Sequence, residues 1–167
     1  FYENLNISNK IFYSDSIKSL NKNNQNGTYV LGKNVEEFEK NFSNFLGSNY
    51  CVGVANGLDA LTIRLKSLNL EKNSEVLVAS NSYIACIISI INAGLKPILV
   101  EPDIETYNIS PTEIKKKISK KTKAILAVHL YGKSCEMDQI IKICNQKKLY
   151  LIEDCAQSHG SKYKNRS

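Results

Sequence analysis

The residues best placed to do chemistry stand at the end of an apolar run. Residues 149–152, Leu-Tyr-Leu-Ile, stop at two carboxylates, Glu153 and Asp154, and Ala156, Gln157, His159 and Gly160 follow. A short apolar run bounded by polar and turn residues reads as a buried strand. In an open α/β sheet, ligands bind in the crevice outside the carboxyl ends of parallel strands. Asp154 is therefore the first candidate for contact with a ligand.

Three other stretches have the same form. Residues 54–61, Val-Ala-Asn-Gly-Leu-Asp-Ala-Leu, leave one apolar run and open a helix. Gly57 permits close approach of the backbone there, and the free amides of a helix start would face an anion such as phosphate. Asp59, in the first turn, complements the helix dipole. Residues 79–86, Ala-Ser-Asn-Ser-Tyr-Ile-Ala-Cys, put Tyr83 at the head of another helix, where its ring could stack on a flat ligand or simply join the core. Residues 129–132, His-Leu-Tyr-Gly, end a further run with an imidazole and a phenol. Each has an ordinary structural explanation alone; four together argue for a site. A dinucleotide is a poor fit, because Gly53 and Gly57 do not form G-x-G-x-x-G and the strand ending at Ala79 lacks a ribose-binding acid.

The elements that must carry these residues alternate regularly. Strands are expected at 50–55, 75–79, 96–100, 123–130 and 149–153, and helices at 57–68, 83–93, 111–119 and 136–147. Continuous apolar strands joined by helices predict a three-layer α/β fold around a mostly parallel sheet. Upstream, residues 1–32 read as an arm. There Ile11, Phe12, Ile17 and Leu20 sketch a short amphipathic helix, and Asn26-Gly27 breaks it before a short run at 28–31. From residue 33 a domain begins, led by a helix with Val35, Phe38, Phe42 and Phe45 on one face and Gly47 at its end.

Composition removes several classes of function. The 167 residues are 43% hydrophobic and 23% charged, suiting one globular domain. No apolar run approaches the roughly 20 residues of a membrane span, and no signal segment is evident, so a cytoplasmic protein is expected. The five cysteines are odd in number and lack CxxC spacing; with two histidines, neither a disulfide frame nor a metal site is expected. The net charge of +6 gathers in lysines at 115–117 and 120–123, which read as a solvated face and not a nucleic-acid groove, though the charge could assist an anionic substrate. A start at Phe1 and a polar finish at Ser167 suggest a fragment.

Taken in order, the motifs resemble the amino-terminal part of the DegT-type (DegT/DnrJ/StrS) nucleotide-sugar aminotransferases, pyridoxal-phosphate enzymes of fold type I. The likeness runs from Gly-Thr-Tyr-Val-Leu-Gly at 27–32 and the helix at 36–47 to the stretches at 54–61, 80–86, 100–109, 128–132 and 152–160. It implies that the amides of Gly57 and Leu58 hold the cofactor phosphate, with Asn56 shaping the turn. Many relatives carry Thr where this chain has Leu58, so a hydroxyl contact is lost. Tyr83 would stack on the pyridine ring, Asp154 would bond its nitrogen, and Gln157 would sit near its phenolic oxygen. His129 and Tyr131 match the family's active-site strand end and, with Gly27 and Tyr29, are suggested for the substrate.

The same resemblance implies a large domain that is incomplete here. Its first strand would pair with a late antiparallel strand not reached by residue 167, leaving an edge prone to mispairing and the isolated chain unstable. The lysine that carries the cofactor would lie downstream of Gly160, as would a small carboxyl-terminal domain. The parent is expected to be a homodimer. It would move an amino group from glutamate to a nucleotide-linked sugar, at C3 of a dTDP-3-keto-6-deoxyhexose. The rivals are amination at C4, a pyridoxamine-phosphate sugar dehydratase with His in place of the lysine, and a silent relative with a binding or regulatory role.

Overall fold

Local sequence signals decide where each element starts and stops. The computed structural model describes residues 4–27 and 29–165. The chain divides into two units, residues 1–53 and 54–167.

The first unit carries three helices, α1 (Leu5–Lys10), α2 (Tyr13–Asn26) and α3 (Lys33–Leu46). Neither α1 nor α2 buries a residue, and Ile11, Phe12, Ile17 and Leu20 are all exposed. α2 stops where Gly27 takes a left-handed φ of 65° and its N–H donates to the Asn23 carbonyl at 3.0 Å. That is the conformation glycine adopts at least cost. The expected run at 28–31 is described only from Tyr29, because Thr28 lies outside the described residues. On α3 the ring of Phe42 stacks on Phe38 at 5.4 Å and tilts against Phe45 at 6.2 Å, as three- and four-residue spacing dictates.

One expected strand does not form. Among the described residues no strand pairs with 50–55, and Tyr50 and Val52 are exposed. An apolar run supplies side chains for a sheet, but a strand exists only through a neighbour's N–H and C=O groups. The Gly53 amide donates to Glu39 Oε1 instead, at 2.6 Å.

The second unit opens with α4 (Gly57–Ser67) and then alternates: β1 (Glu75–Ala79), α5 (Ile84–Asn92), β2 (Lys96–Val100), α6 (Pro111–Lys117), β3 (Thr122–Val128), a 3₁₀ turn at Leu130–Gly132, α7 (Met137–Lys147) and β4 (Tyr150–Asp154). The four strands form one parallel sheet in the order β2-β1-β3-β4. β1 and β3 are almost entirely buried, which explains their unbroken apolar runs.

Alternation along the strands divides the core in two. Val76, Val78, Ala124, Leu126, Val128 and Ile152 pack with Leu61 and Leu65 of α4 and Cys86 and Ile90 of α5. Leu77, Ala79, Ile125 and Ala127 pack with Ile114 of α6 and Ile140, Ile143 and Cys144 of α7. Three layers result, with each strand end offering successive side chains to opposite faces. No helix among the described residues is long and apolar enough to cross a membrane.

Candidate functional site

The end of β4 settles which carboxylate faces which layer. Ile152 belongs to the α4/α5 core, so Asp154, two residues on, faces the same way; Glu153 faces the α6/α7 side. Asp154 lines an open cavity of about 540 Å³ together with Asn56, Gly57, Leu58, Tyr83 and Cys86. The sheet thus brings together five of the residues singled out from sequence, drawn from three segments far apart in the chain.

Each is held by local structure. Asn56 caps α4: its Oδ1 accepts the Asp59 amide at 2.9 Å, and its Nδ2 donates to Asp59 Oδ2 at 3.0 Å. With the third amide satisfied by the cap, those of Gly57 and Leu58 have no intrahelical acceptor and no partner among the described residues. A Cβ built on Gly57 would meet nothing within 4 Å, so the space beside this helix start is open. Tyr83 precedes α5 in extended conformation, and its ring is 72% exposed.

Asp154 is held at both oxygens. The Ala156 amide donates to Oδ1 at 3.0 Å, and the Cys86 thiol donates to Oδ2 at 3.4 Å. Burial, reinforced by the charge and hydrogen bond of Asp154, pushes the Cys86 thiol up to about 12. Cys86 is therefore a thiol, not a thiolate, beside this carboxylate.

Gln157 stands next to the cavity, not in its lining. Its Oε1 accepts the Tyr131 amide at 2.7 Å, which leaves the Nε2 hydrogens as its outward donors. The turn that presents this amide holds Tyr131 at a φ of 55° and Gly132 at 80°. Asn108 braces it: Oδ1 accepts the Leu130 amide at 3.1 Å and Nδ2 donates to the Lys133 carbonyl at 2.8 Å. Asn108 was not singled out from sequence, since its partners lie more than 20 residues downstream. The Tyr131 ring is exposed.

The structure turns His129 away from the cavity, which removes the geometric basis for a substrate contact by its ring. His129 follows Ala127 by two residues, faces the α6/α7 side and is 4% exposed. Its Nε2 lies 3.0 Å from Glu153 Oε2, and its Nδ1 accepts the Cys135 amide at 3.1 Å. The neighbouring Cys135 and Cys155 side chains and the Glu153 carboxylate push toward the cation. However, a nitrogen accepting from an amide cannot also carry a proton, so the contact fixes the neutral Nε2–H tautomer donating to Glu153. A separate cavity of about 160 Å³ lies here, lined by His129, Glu153, Cys155 and Ser158 among others. Of the remaining suggestions, Gly27 is accounted for by its helix cap, and Tyr29 is exposed in the first unit. No metal-binding cluster occurs among the described residues.

Residues 11–167 match the DegT/DnrJ/EryC1/StrS aminotransferase family. Over 146 residues, 87% of this chain and 40% of the relative, the sequence is 49% identical to dTDP-3-amino-3,6-dideoxy-alpha-D-galactopyranose transaminase of Aneurinibacillus thermoaerophilus. It is 41% identical over 133 residues, 80% of this chain and 36% of the relative, to GDP-perosamine synthase of Escherichia coli O157:H7. Among solved structures, DesV of S. venezuelae superposes with a TM-score of 0.94 at 32% identity, covering 98% of this chain and 44% of DesV. NtdA of Bacillus subtilis, with bound cofactor PMP, gives 0.86 at 36% identity, covering 89% of this chain and 34% of NtdA. The chain thus spans about 40% of the length of the curated relatives it matches.

Proposed function

The chain belongs to the DegT/DnrJ/EryC1/StrS aminotransferase family, and from that premise we propose that the complete protein is a pyridoxal-phosphate-dependent sugar aminotransferase. It moves an amino group from glutamate to a nucleotide-linked keto-deoxysugar, at C3 of a dTDP-3-keto-6-deoxyhexose. One observation carries the cofactor reading: two unpartnered helix-start amides, an exposed aromatic ring and a fixed carboxylate meet at one cavity on one sheet edge.

The donor set fits the cofactor. The Gly57 and Leu58 amides at the positive end of α4 suit its phosphate, and the room beside Gly57 is open. Pyridoxal phosphate, when bound, draws electrons from a substrate carbanion into its ring. Asp154 holds a proton on the ring nitrogen and so keeps that sink deep. Tyr83 covers a ring face, and Gln157, with its oxygen engaged by Tyr131, offers its amide hydrogens to the phenolic oxygen. The lysine that anchors the cofactor is assigned, on the family resemblance, to a motif downstream of Gly160. The unpaired segment 50–55 is likewise assigned a strand partner downstream. The exposed Tyr131 is the residue offered to the nucleotide sugar, and a homodimer completes the assembly.

Support for C3 of a dTDP sugar is the 49% identity to a transaminase whose name states that chemistry. The test uses the complete protein loaded with pyridoxal phosphate. Glutamate should bleach its visible absorption, and a dTDP-3-keto-6-deoxyhexose should restore it while the 4-keto isomer does not. Restoration by the 4-keto isomer alone moves the amination to C4. Failure to take up the cofactor refutes the reading.

A further inference from the structure

The aminotransferase reading assigns no task to Cys86, although its sulfur is the nearest side-chain donor to the carboxylate on which that reading depends. We propose that Cys86 is a positioning residue: its thiol donates to Asp154 Oδ2 while the Ala156 amide donates to Oδ1, and the two donors fix the carboxylate toward the cavity. This role rests on the assignment of Asp154 to the ring nitrogen of the cofactor.

The geometry supports more than packing. Cys86 is 1% exposed and belongs to the apolar core under α5, yet its sulfur points at a carboxylate oxygen at 3.4 Å from a residue 68 positions downstream. A purely apolar side chain there would leave Oδ2 without this donor at the inner wall of the cavity. A carboxylate offers about four lone-pair sites, so two donors still leave capacity for a ring N–H.

The choice of donor is chemically specific. A thiol is a weak donor, so it orients the carboxylate while withdrawing little charge from it. A hydroxyl at the same place would bond Oδ2 more strongly and lower its basicity toward the ring nitrogen. A thiolate would repel it, and the elevated pKa of Cys86 keeps that form away at neutral pH. Position 86 thus sets the direction of Asp154 and how strongly its Oδ2 is engaged.

The test uses the complete protein, first without cofactor. The S–H stretching band of Cys86 should lie below the free-thiol position, as should that of Cys135, whose thiol donates to the Val128 carbonyl at 3.3 Å. The Cys86 band should vanish in Cys86→Ser and Cys86→Ala, and return to the free-thiol position in Asp154→Ala. The second measurement is affinity for pyridoxal phosphate. Cys86→Ala should weaken it about fivefold, the loss of one modest hydrogen bond's orientation, and Cys86→Ser should recover it to within about twofold. With ¹⁵N-labelled cofactor, Cys86→Ser should move the ring-nitrogen resonance toward the unprotonated position, a change that a packing role would not produce. An undisplaced S–H band, or one insensitive to Asp154, overturns the proposal whatever the cofactor does. A displaced band in a protein that takes up no pyridoxal phosphate overturns the cofactor reading instead, and the positioning role with it.

Discussion

Replacing Asn56 by Ala tests whether the start of α4 is a binding device as well as a helix end. The side chain makes two bonds, accepting from the Asp59 amide at 2.9 Å and donating to Asp59 Oδ2 at 3.0 Å. Loss of such a cap costs about 1 kcal/mol, within about 0.5–2. The second bond is exposed and adds no more than about 0.5 kcal/mol. The folded state should therefore lose about 1–1.5 kcal/mol, or roughly 2–6 °C of melting temperature. The same change frees the first turn, so the Gly57 and Leu58 amides no longer share one direction, and affinity for pyridoxal phosphate should fall about tenfold, near 1.4 kcal/mol. Asn56→Ser keeps an acceptor at the cap and should restore most of both losses. The assay is thermal melting of the complete protein with and without pyridoxal phosphate, beside a visible titration of the cofactor. If Asn56→Ala melts with wild type, or Asn56→Ser fares no better than Asn56→Ala, the capping argument is wrong. If stability falls while affinity holds, α4 does not hold the phosphate.

Four further outcomes separate chemistry from scaffold. Asp154→Asn should still bind cofactor but lose turnover roughly tenfold to a hundredfold, the scale of one charge-assisted hydrogen bond, read by single-turnover kinetics with glutamate. His129→Ala should cost about 1–3 kcal/mol by stripping a buried amide of its acceptor, yet leave cofactor affinity within about twofold of wild type, because the ring faces the other layer. Ile125→Ala, at a fully buried site in β3, should cost about 2–5 kcal/mol in chemical denaturation. Alkaline pH should destabilise the fold through buried thiols. Burial raises Cys86 from 9.0 to about 12 and Cys144 from 9.0 to about 11, so each holds its proton in the folded state above the pH at which the unfolded chain releases it. Their contribution is complete below about pH 9 and is lost as pH rises toward those values. Cys144→Ala should flatten the fall in urea midpoint across that window.

Most of the scaffold was legible because its signals are local. The unbroken apolar runs of β1 and β3, the cap at Asn56 and the glycine stops at Gly27 and Gly47 each act over a few residues. The run at 50–55 misled for the complementary reason: its pattern is correct for a strand, but the partner that makes it one is not among the described residues. The layer that His129 enters was not legible, for a reason of parity. A polar residue ending an apolar run suggests a site, but only the register of β3 with Ala127 and Ile125 shows which layer it enters. Cys86 was visible as a buried thiol, whereas its bond to Asp154 depends on how α5 lies over β4, a relation that no spacing along the chain encodes.

The adjacent acids Glu153 and Asp154 show why the two layers need each other. Strand alternation sends Glu153 to the α6/α7 side, where it receives the His129 Nε2–H while the Cys135 amide closes on Nδ1. It sends Asp154 to the cavity, where the Cys86 thiol and the Ala156 amide hold it. Between them, the His129 amide donates to the Asp154 carbonyl at 3.1 Å, continuing the β3–β4 ladder to the strand's end. That backbone bond, which does not depend on the His129 ring, restrains the strand end beneath Asp154, while on the other face the buried imidazole meets the exposed Glu153 carboxylate. A carboxylate that must meet a ring nitrogen within a few tenths of an ångström needs such backing, because a frayed strand end would give up that positioning before any contact in the cavity could restore it.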